Sequence, residues 1–354
     1  MSILRSTLIR GLFAAALIAA PQPAKPDRHA AAPAGESGAA EESGAAEESG
    51  AAATEAVPER DIVIGGGSVA GVYFPAAGAI CRIVSLQEPG RRCLVESNAN
   101  SSANLERLAG GLLDFAVVQS DWLMHASRGT SLFRPNGPDE TLRAVLSLHA
   151  EAFTLVARAG AGIGNPQDLE GKRLNLGPAY TYQRVLTEAL LRAFKLDDDD
   201  LAQIMEVSTE EQFTALCTGE VDAAAIVAAH PSPVLADAMQ RCDLRLVPIA
   251  GDRIAKLLDN RKEFAPAVVP GGLYAGAPDD IPTFGLRAIL ATTTQVEEEI
   301  VEAVVKALLD GLPALTDQHP ALARLDRETM STAGIAVPLH AGAERVFKAR
   351  GLLR

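Results

Sequence analysis

Asp61-Ile62-Val63-Ile64-Gly65-Gly66-Gly67-Ser68-Val69-Ala70-Gly71 is the stretch on which the reading of this chain turns. A short apolar run ends in three glycines and a serine, and helical spacing follows over residues 73–86. Strand, glycine-rich turn and helix in that order open a parallel α/β unit. Outward from there the rhythm continues. Residues 93–96 read as strand, 102–108 as helix, 114–118 as a fully buried strand, 121–127 as helix and 142–149 as strand. A second series begins with apolar residues 153–158 and a short helical turn at 165–169, then strand and turn at 171–177. Helix 182–194, strand 205–207, helix 210–217, strand 221–227, helix 232–240 and strand 244–249 complete it. The tail, strand 285–291 and helix 297–309, has no sheet of its own and is expected to return to the first. The predicted fold is therefore α/β, two doubly wound lobes joined by a two-strand hinge near 150–158 and 282–292. Lobe 1 is expected at 59–152 and 283–354, lobe 2 at 153–282.

The chain has 354 residues, 48% hydrophobic but only 4% aromatic, so its cores must be built from Ala, Val, Leu and Ile. Its net charge of −13 argues against nucleic acid, whose binding depends on neutralising phosphates with Lys and Arg. At the N-terminus, Arg5 and Arg10 precede the apolar run 12–20, too short for an ordinary membrane span of roughly 20 residues. Residues 1–24 therefore read as an export signal, which would act as a tether if uncleaved. Residues 25–58 repeat Gly-Ala-Ala-Glu-Glu-Ser at 38–43 and 44–49 and hold no large apolar group before Val57, so they read as a linker.

Four cysteines, Cys81, Cys93, Cys217 and Cys242, fit an exported protein. Three connectivities exist. Cys81–Cys93 and Cys217–Cys242 are favoured, because each closes a short loop within one helix-to-strand unit, worth about 3 kcal/mol in the chain-entropy model. The spacing does not suit zinc, and the six histidines form no ligand set, so no metal and no cofactor are expected.

The glycine loop fails the dinucleotide register, since its sixth position is Ala70, and no Gly-Lys-Ser/Thr follows. What remains is a set of backbone N–H groups leading into a helix start, which suits an anionic group such as a carboxylate. Ser68 lacks the second glycine of a nucleophile elbow and any well-placed histidine base, so no catalytic residue is assigned. Gln119-Ser120-Asp121-Trp122 closes strand 114–118, at the carboxyl end where open sheets bind ligands. Ser120 or Asp121 would serve equally well as a helix cap. Asn98 and Ser101, in a small polar turn, lie at the same sheet edge, and His230 before Pro231 is the one histidine well placed for a cleft.

These residues resemble a known family. Gly-Gly-Gly-Ser-Val-Ala-Gly-Val-Tyr-Phe-Pro at 65–75, Asn104-Leu105, 114–121, Asp168-Leu-Glu-Gly-Lys-Arg173 and Val337-Pro-Leu-His340 are similar, in order, to the TAXI family. These are solute receptors associated with TRAP transporters. The resemblance runs from about 61 to 350, most specifically at 65–75 and Gln119–Asp121. It implies a type II periplasmic-binding-protein-like fold, a periplasmic location and delivery of a small carboxylate, a glutamate-like amino acid or dicarboxylate, to a TRAP-type permease. It supports the same cysteine pairs. Carried onto this chain, the ligand-binding set is Gly67, Ser68, Tyr73, Asn98, Ser101, Gln119, Ser120 and Asp121 from lobe 1 and Pro178, Tyr180, Arg184 and His230 from lobe 2. A monomer is expected. Two departures stand out: Pro178-Ala-Tyr-Thr-Tyr-Gln-Arg184 replaces a Gly/Ser loop, and the turn 97–102 is Asn-rich. Arg184 would pair bidentately with a carboxylate, or lie on a solvated helix face. An enzyme of this fold would need an acid–base set, which is not found. A periplasmic sensor or scaffold signalling to a membrane partner shares the same cleft and is the second reading.

Overall fold

A computed structural model describes residues 61–69, 71–88, 91–179 and 181–353. The expected export segment and linker lie outside the described residues, as does Tyr180. Among the described residues no helix is long and apolar enough to cross a membrane.

Three strands, β1 (Ile62–Gly65), β2 (Cys93–Glu96) and β3 (Phe115–Gln119), form a parallel group in the order β2-β1-β3. The helices between them are α1 (Tyr73–Gln87) and α2 (Ser101–Ala109), and α3 (Ser120–Arg128) follows β3. β4 (Leu142–Arg158) leads into the second lobe, built on β5 (Arg173–Asn175), β6 (Gln203–Met205) and β7 (Ala223–Ala228) in the parallel order β7-β5-β6. Its helices are α4 (Tyr182–Phe194), α5 (Thr209–Thr218), α6 (Pro233–Arg241) and α7 (Asp252–Asn260). β8 (Leu244–Val247) pairs with the end of β4, and β9 (Ala265–Val269) with the start of β10 (Ile281–Thr293). The tail adds α8 (Glu298–Asp310), α9 (Leu312–Thr316), α10 (Arg327–Met330) and α11 (Ala341–Ala349). β10 lies antiparallel to β3 on one side and to β4 on the other, and β4 lies antiparallel to β7. Two long antiparallel strands thus join two parallel groups, which is the two-lobed hinge architecture expected.

The cores explain the composition. Each lobe's strands are covered on both faces by separate apolar clusters, with α1, α8 and α11 on one side of the first lobe and α2 and α3 on the other. β3 buries Phe115, Ala116, Val117 and Val118 completely, as a parallel strand between two helix layers must. The tail does return to the first lobe: α8 packs on α1, and Val304, Val305 and Leu308 are fully buried there. Val337–His340 also serves this lobe, through Ala144 N–H to Pro338 O at 3.0 Å and His340 N–H to Ala144 O at 2.8 Å.

The expected break between strands 142–149 and 153–158 is absent. β4 runs through Ala150, Glu151 and Ala152 as one strand of 17 residues. Glu151 interrupts the apolar pattern that marks a strand, but its carboxylate has partners and the backbone ladder continues beneath it. Gly285, opposite on β10, makes this crossing fit: a Cβ there would fall 2.1 Å from the Glu151 carbonyl oxygen. A register shift between Arg287 and Ile289 puts an irregularity into β4 next to His149. Both favoured disulfides are formed, Cys81–Cys93 tying α1 to β2 and Cys217–Cys242 tying the ends of α5 and α6.

Candidate functional site

The parallel strands of both lobes point their carboxyl ends, and the helices that follow point their N-termini, at a common cleft. The first lobe's glycine loop is held by one buried side chain. Asn104 Nδ2 donates to Gly66 O at 2.8 Å, Val117 O at 3.0 Å and Gly65 O at 3.3 Å, and its Oδ1 accepts from Asn98 Nδ2 at 2.8 Å. A Cβ at Gly66 would lie 2.8 Å from Phe74 Cα, so the loop can lie against α1 only because it is glycine. Asn98 is therefore a support for the loop, and it does not line the cleft. Ser101 does line it, and its Oγ accepts from Gln119 N–H at 3.1 Å.

Two adjoining hollows occupy the cleft. One, of about 340 Å³, is lined by Gly67, Ser68, Tyr73, Ser101, Gln119 and Glu151 together with the rings of Trp122 and Tyr182. The other, of about 390 Å³, shares Gln119 and Tyr182 and adds Pro178, Thr181, Gln183 and Ser208 to Glu210 from the second lobe. Trp122 of α3 and Tyr182 of α4 meet edge to face across the cleft, with ring centroids 5.3 Å apart.

Glu151, in the middle of β4, is the residue that sequence reasoning missed. Gln119 Nε2 donates to Glu151 Oε2, and the Tyr73 hydroxyl also hydrogen-bonds this carboxylate. Glu151 is half-buried and lines the hollow. Burial pushes its pKa up, and the bonds from Gln119 and Tyr73 pull it part of the way back. Burial, then the charge of Glu151, raises the Tyr73 phenol well above its usual value. Burial, then Asp121 and Glu151, does the same to Tyr182. Among the described residues, no Lys or Arg lines either hollow. The lone charge at the centre of an apolar strand was the signal available in the sequence.

Other expected residues sit elsewhere. Ser120 caps nothing: α3 starts at Ser120, and Gln119 is the N-cap without a side-chain bond. The Ser120 hydroxyl is spent on Glu263 O at 2.7 Å and on Arg287 N–H at 3.2 Å, which fastens α3 to β10. Asp121 is buried, accepts from Trp122 N–H at 2.8 Å and lines neither hollow. Burial raises its pKa well up, the Trp122 N–H opposes this, and the charges of Glu151 and Glu263 add to the rise. Arg184 turns away from the cleft to pair with Glu188 at 2.9 Å and with Glu206, the solvated alternative. His230 lies between Thr154 Oγ1 at 2.9 Å and Tyr274 Oη at 2.5 Å, outside both hollows.

The second wall is held by buried amides. Gln183 Nε2 and Asn175 Nδ2 both donate to Gln212 Oε1 at 2.8 Å, and Gln212 Nε2 donates to Ala225 O at 3.0 Å. Asn175 Oδ1 receives Val207 N–H at 3.0 Å and Gly177 N–H at 3.3 Å. The loop before α4 is fixed in this way, and Thr181 caps the helix.

Two lobes, a two-strand hinge and a cleft at the helix N-termini define the periplasmic solute-binding class of fold. Residues 64–351 match the NMT1-like family, and the chain belongs to that family. Among solved structures it is similar to a TctC solute binding protein from Polaromonas, at 15% identity over 84% of this chain and 98% of that one, TM-score 0.53. It is also similar to the periplasmic aliphatic sulphonate binding protein SsuA from Escherichia coli, at 13% identity over 83% and 79% of the two chains, TM-score 0.47.

Proposed function

We propose that the protein is an extracytoplasmic receptor that binds a glutamate-like amino acid in the cleft and delivers it to a TRAP-type permease. In this reading it is exported to the periplasm, acts as a monomer, and closes lobe 1 (59–152 and 283–354) on lobe 2 (153–282) about the hinge. The observation that carries it is Glu151: a carboxylate held in the hollow by Gln119 and Tyr73, with no cation lining the space among the described residues. A half-buried acid in that position favours a positive partner, and the α-ammonium group of an amino acid supplies one. The solute's carboxylates take the N-termini of α1, α2, α4 and α5, where Tyr73, Ser101, Tyr182 and Thr209 line the space. A dicarboxylate without the amine would face Glu151 unpaired, so the amino acid is preferred. Arg184 has no part in this recognition.

Thermal shift on the purified protein tests the reading, with glutamate and glutamine against succinate and 2-oxoglutarate. A solute at 100 times its dissociation constant adds about 2.7 kcal/mol of stability. A panel in which no amino acid or carboxylate shifts melting sinks the receptor assignment. Succinate binding as tightly as glutamate removes the role given to Glu151.

A further inference from the structure

A separate cavity of about 270 Å³ shares no lining residue with the cleft. It is walled by His149, Ala150 and Ala152 of β4, by Arg287 of β10, by residues 266–268 of β9 and by the segment 320–329. Two features of this wall are unsatisfied. His149 is 2% exposed, and neither ring nitrogen has a hydrogen-bond partner. Burial, then Arg287, lowers its pKa to about 3, so the ring is neutral and carries one N–H to donate. Arg287 is 9% exposed and, among the described residues, forms no ion pair. Its Nε donates to Ser147 Oγ at 3.0 Å and its Nη2 to Leu148 O, both neutral acceptors, and the Asp326 carboxylate acts on it from a distance without forming an ion pair. Burial lowers its pKa to about 10, which leaves it charged at neutral pH.

We propose that this cavity is a second binding site, for a small monocarboxylate held by Arg287 and His149. The anion supplies a directly paired counter-charge to the guanidinium and accepts the imidazole N–H. Leaving the buried His149 ring without a partner costs about 1–3 kcal/mol, so the site is built for an occupant. Water meets the hydrogen bonds but not the charge. Of the other charged groups facing the space, Asp326 offsets part of the Arg287 charge from a distance while its oxygens are bonded to Thr329. Asp326 accepts from Thr329 N–H at 2.9 Å and Thr329 Oγ1 at 2.6 Å, and Arg324 pairs with Asp280 at 3.2 Å near solvent. His230, depressed by burial to about 4, is neutral and held between Thr154 and Tyr274. The rest of the wall is apolar, with Pro266, Val268, Pro320 and Leu325, and suits a short alkyl chain behind the carboxylate. The cleft presents Glu151 and no cation, whereas this cavity presents Arg287, so the two select ligands of different charge.

The full chain, labelled with 15N-histidine, is titrated with butyrate, butyramide and butylammonium, and binding is followed calorimetrically and by the His149 ring-nitrogen resonances. The proposal expects saturable butyrate binding that moves the His149 nitrogens and is at least tenfold tighter than butyramide binding. Removing Arg287 also strips Ser147 and Leu148 of a partner, so the variants are His149→Leu and Ala321→Trp, the latter filling the cavity from a partly exposed position. Both should lose butyrate by tenfold or more. Absent saturation, equal binding of butyramide, preference for butylammonium, or full affinity in His149→Leu overturns the proposal.

Discussion

Replacing Glu151 by Gln separates a residue kept for binding from one kept for stability. The amide has the same shape. Its Oε1 still accepts from Gln119 Nε2, and its NH2 faces the Tyr73 hydroxyl as a donor where the carboxylate accepted. What disappears is a charge whose pKa burial has raised. For an acid raised in the folded state the sign is fixed. Between its unfolded value near 4.3 and its higher folded value the native protein holds more protons than the unfolded chain, so stability falls as pH rises through that window. Above that window the ligand-free protein carries the full penalty of an ionised Glu151. The substitution should raise stability by about 1 kcal/mol, the low end for removing an uncompensated buried charge. For a protein of this size that is about 2–4 °C in Tm, and the gain should vanish at pH 4. The same substitution should weaken the amine-bearing solute by at least about tenfold, about 1.4 kcal/mol. Calorimetric melting at pH 4 and 7, with and without glutamate, reads both effects. A lower Tm with unchanged affinity would refute the reasoning, since it would make Glu151 a structural group satisfied by Gln119 and Tyr73.

The remaining expectations are shorter to state. Asn104→Ala leaves the Gly66 and Val117 carbonyls without their side-chain donor and should cost about 2–4 kcal/mol in denaturant unfolding, with loss of solute binding because the loop at 65–68 loses its anchor. Trp122→Ala removes the edge-to-face contact with Tyr182 across the cleft, worth about 0.5–1.5 kcal/mol, and should weaken solute binding about two- to tenfold without lowering Tm comparably. Reducing Cys81–Cys93 and Cys217–Cys242, with sequence separations of 12 and 25, should each cost about 3 kcal/mol in the chain-entropy model, read as a drop in denaturation midpoint on adding reductant. His149 and His230 are depressed to about 3 and about 4, so below pH 6.5 the unfolded chain binds more protons. Stability should accordingly fall as pH drops from about 6.5 towards 4, and His149→Leu should flatten that slope.

Much of the fold could be read because its signals are local. The alternation of apolar run, small polar turn and helical period gave β1 to β3 within a residue or two, since a strand buried on both faces has no polar position to confuse it. The return of the tail followed from its lacking a sheet. The hinge was harder. β4 was divided where Glu151 and its two alanine neighbours interrupt the apolar pattern, and the pairing with β10 that holds the strand together is separated by more than a hundred residues. β9, α7 and the helices after α8 were not assigned at all, because their burial comes from the lobes they cover.

The site divides along the same line. Gly67, Ser68, Tyr73, Ser101, Gln119 and Pro178 line the cleft because a residue at a strand's carboxyl end or a helix's first turn is placed by the fold itself. Residues one step further along depended on partners invisible in the sequence. Arg184 met Glu188 one helical turn on and Glu206 from β6's end, and Ser120 met Glu263 and Arg287, so neither hydroxyl nor guanidinium was left for a solute. A charged side chain is available for binding only when the protein has not already neutralised it. By that criterion two charges without an ion pair lie on the strands that join the lobes, Glu151 on β4 and Arg287 on β10, and they face different spaces. The strands that join the lobes thus also carry these charges, so a ligand bound at either one meets the backbone that links the two lobes.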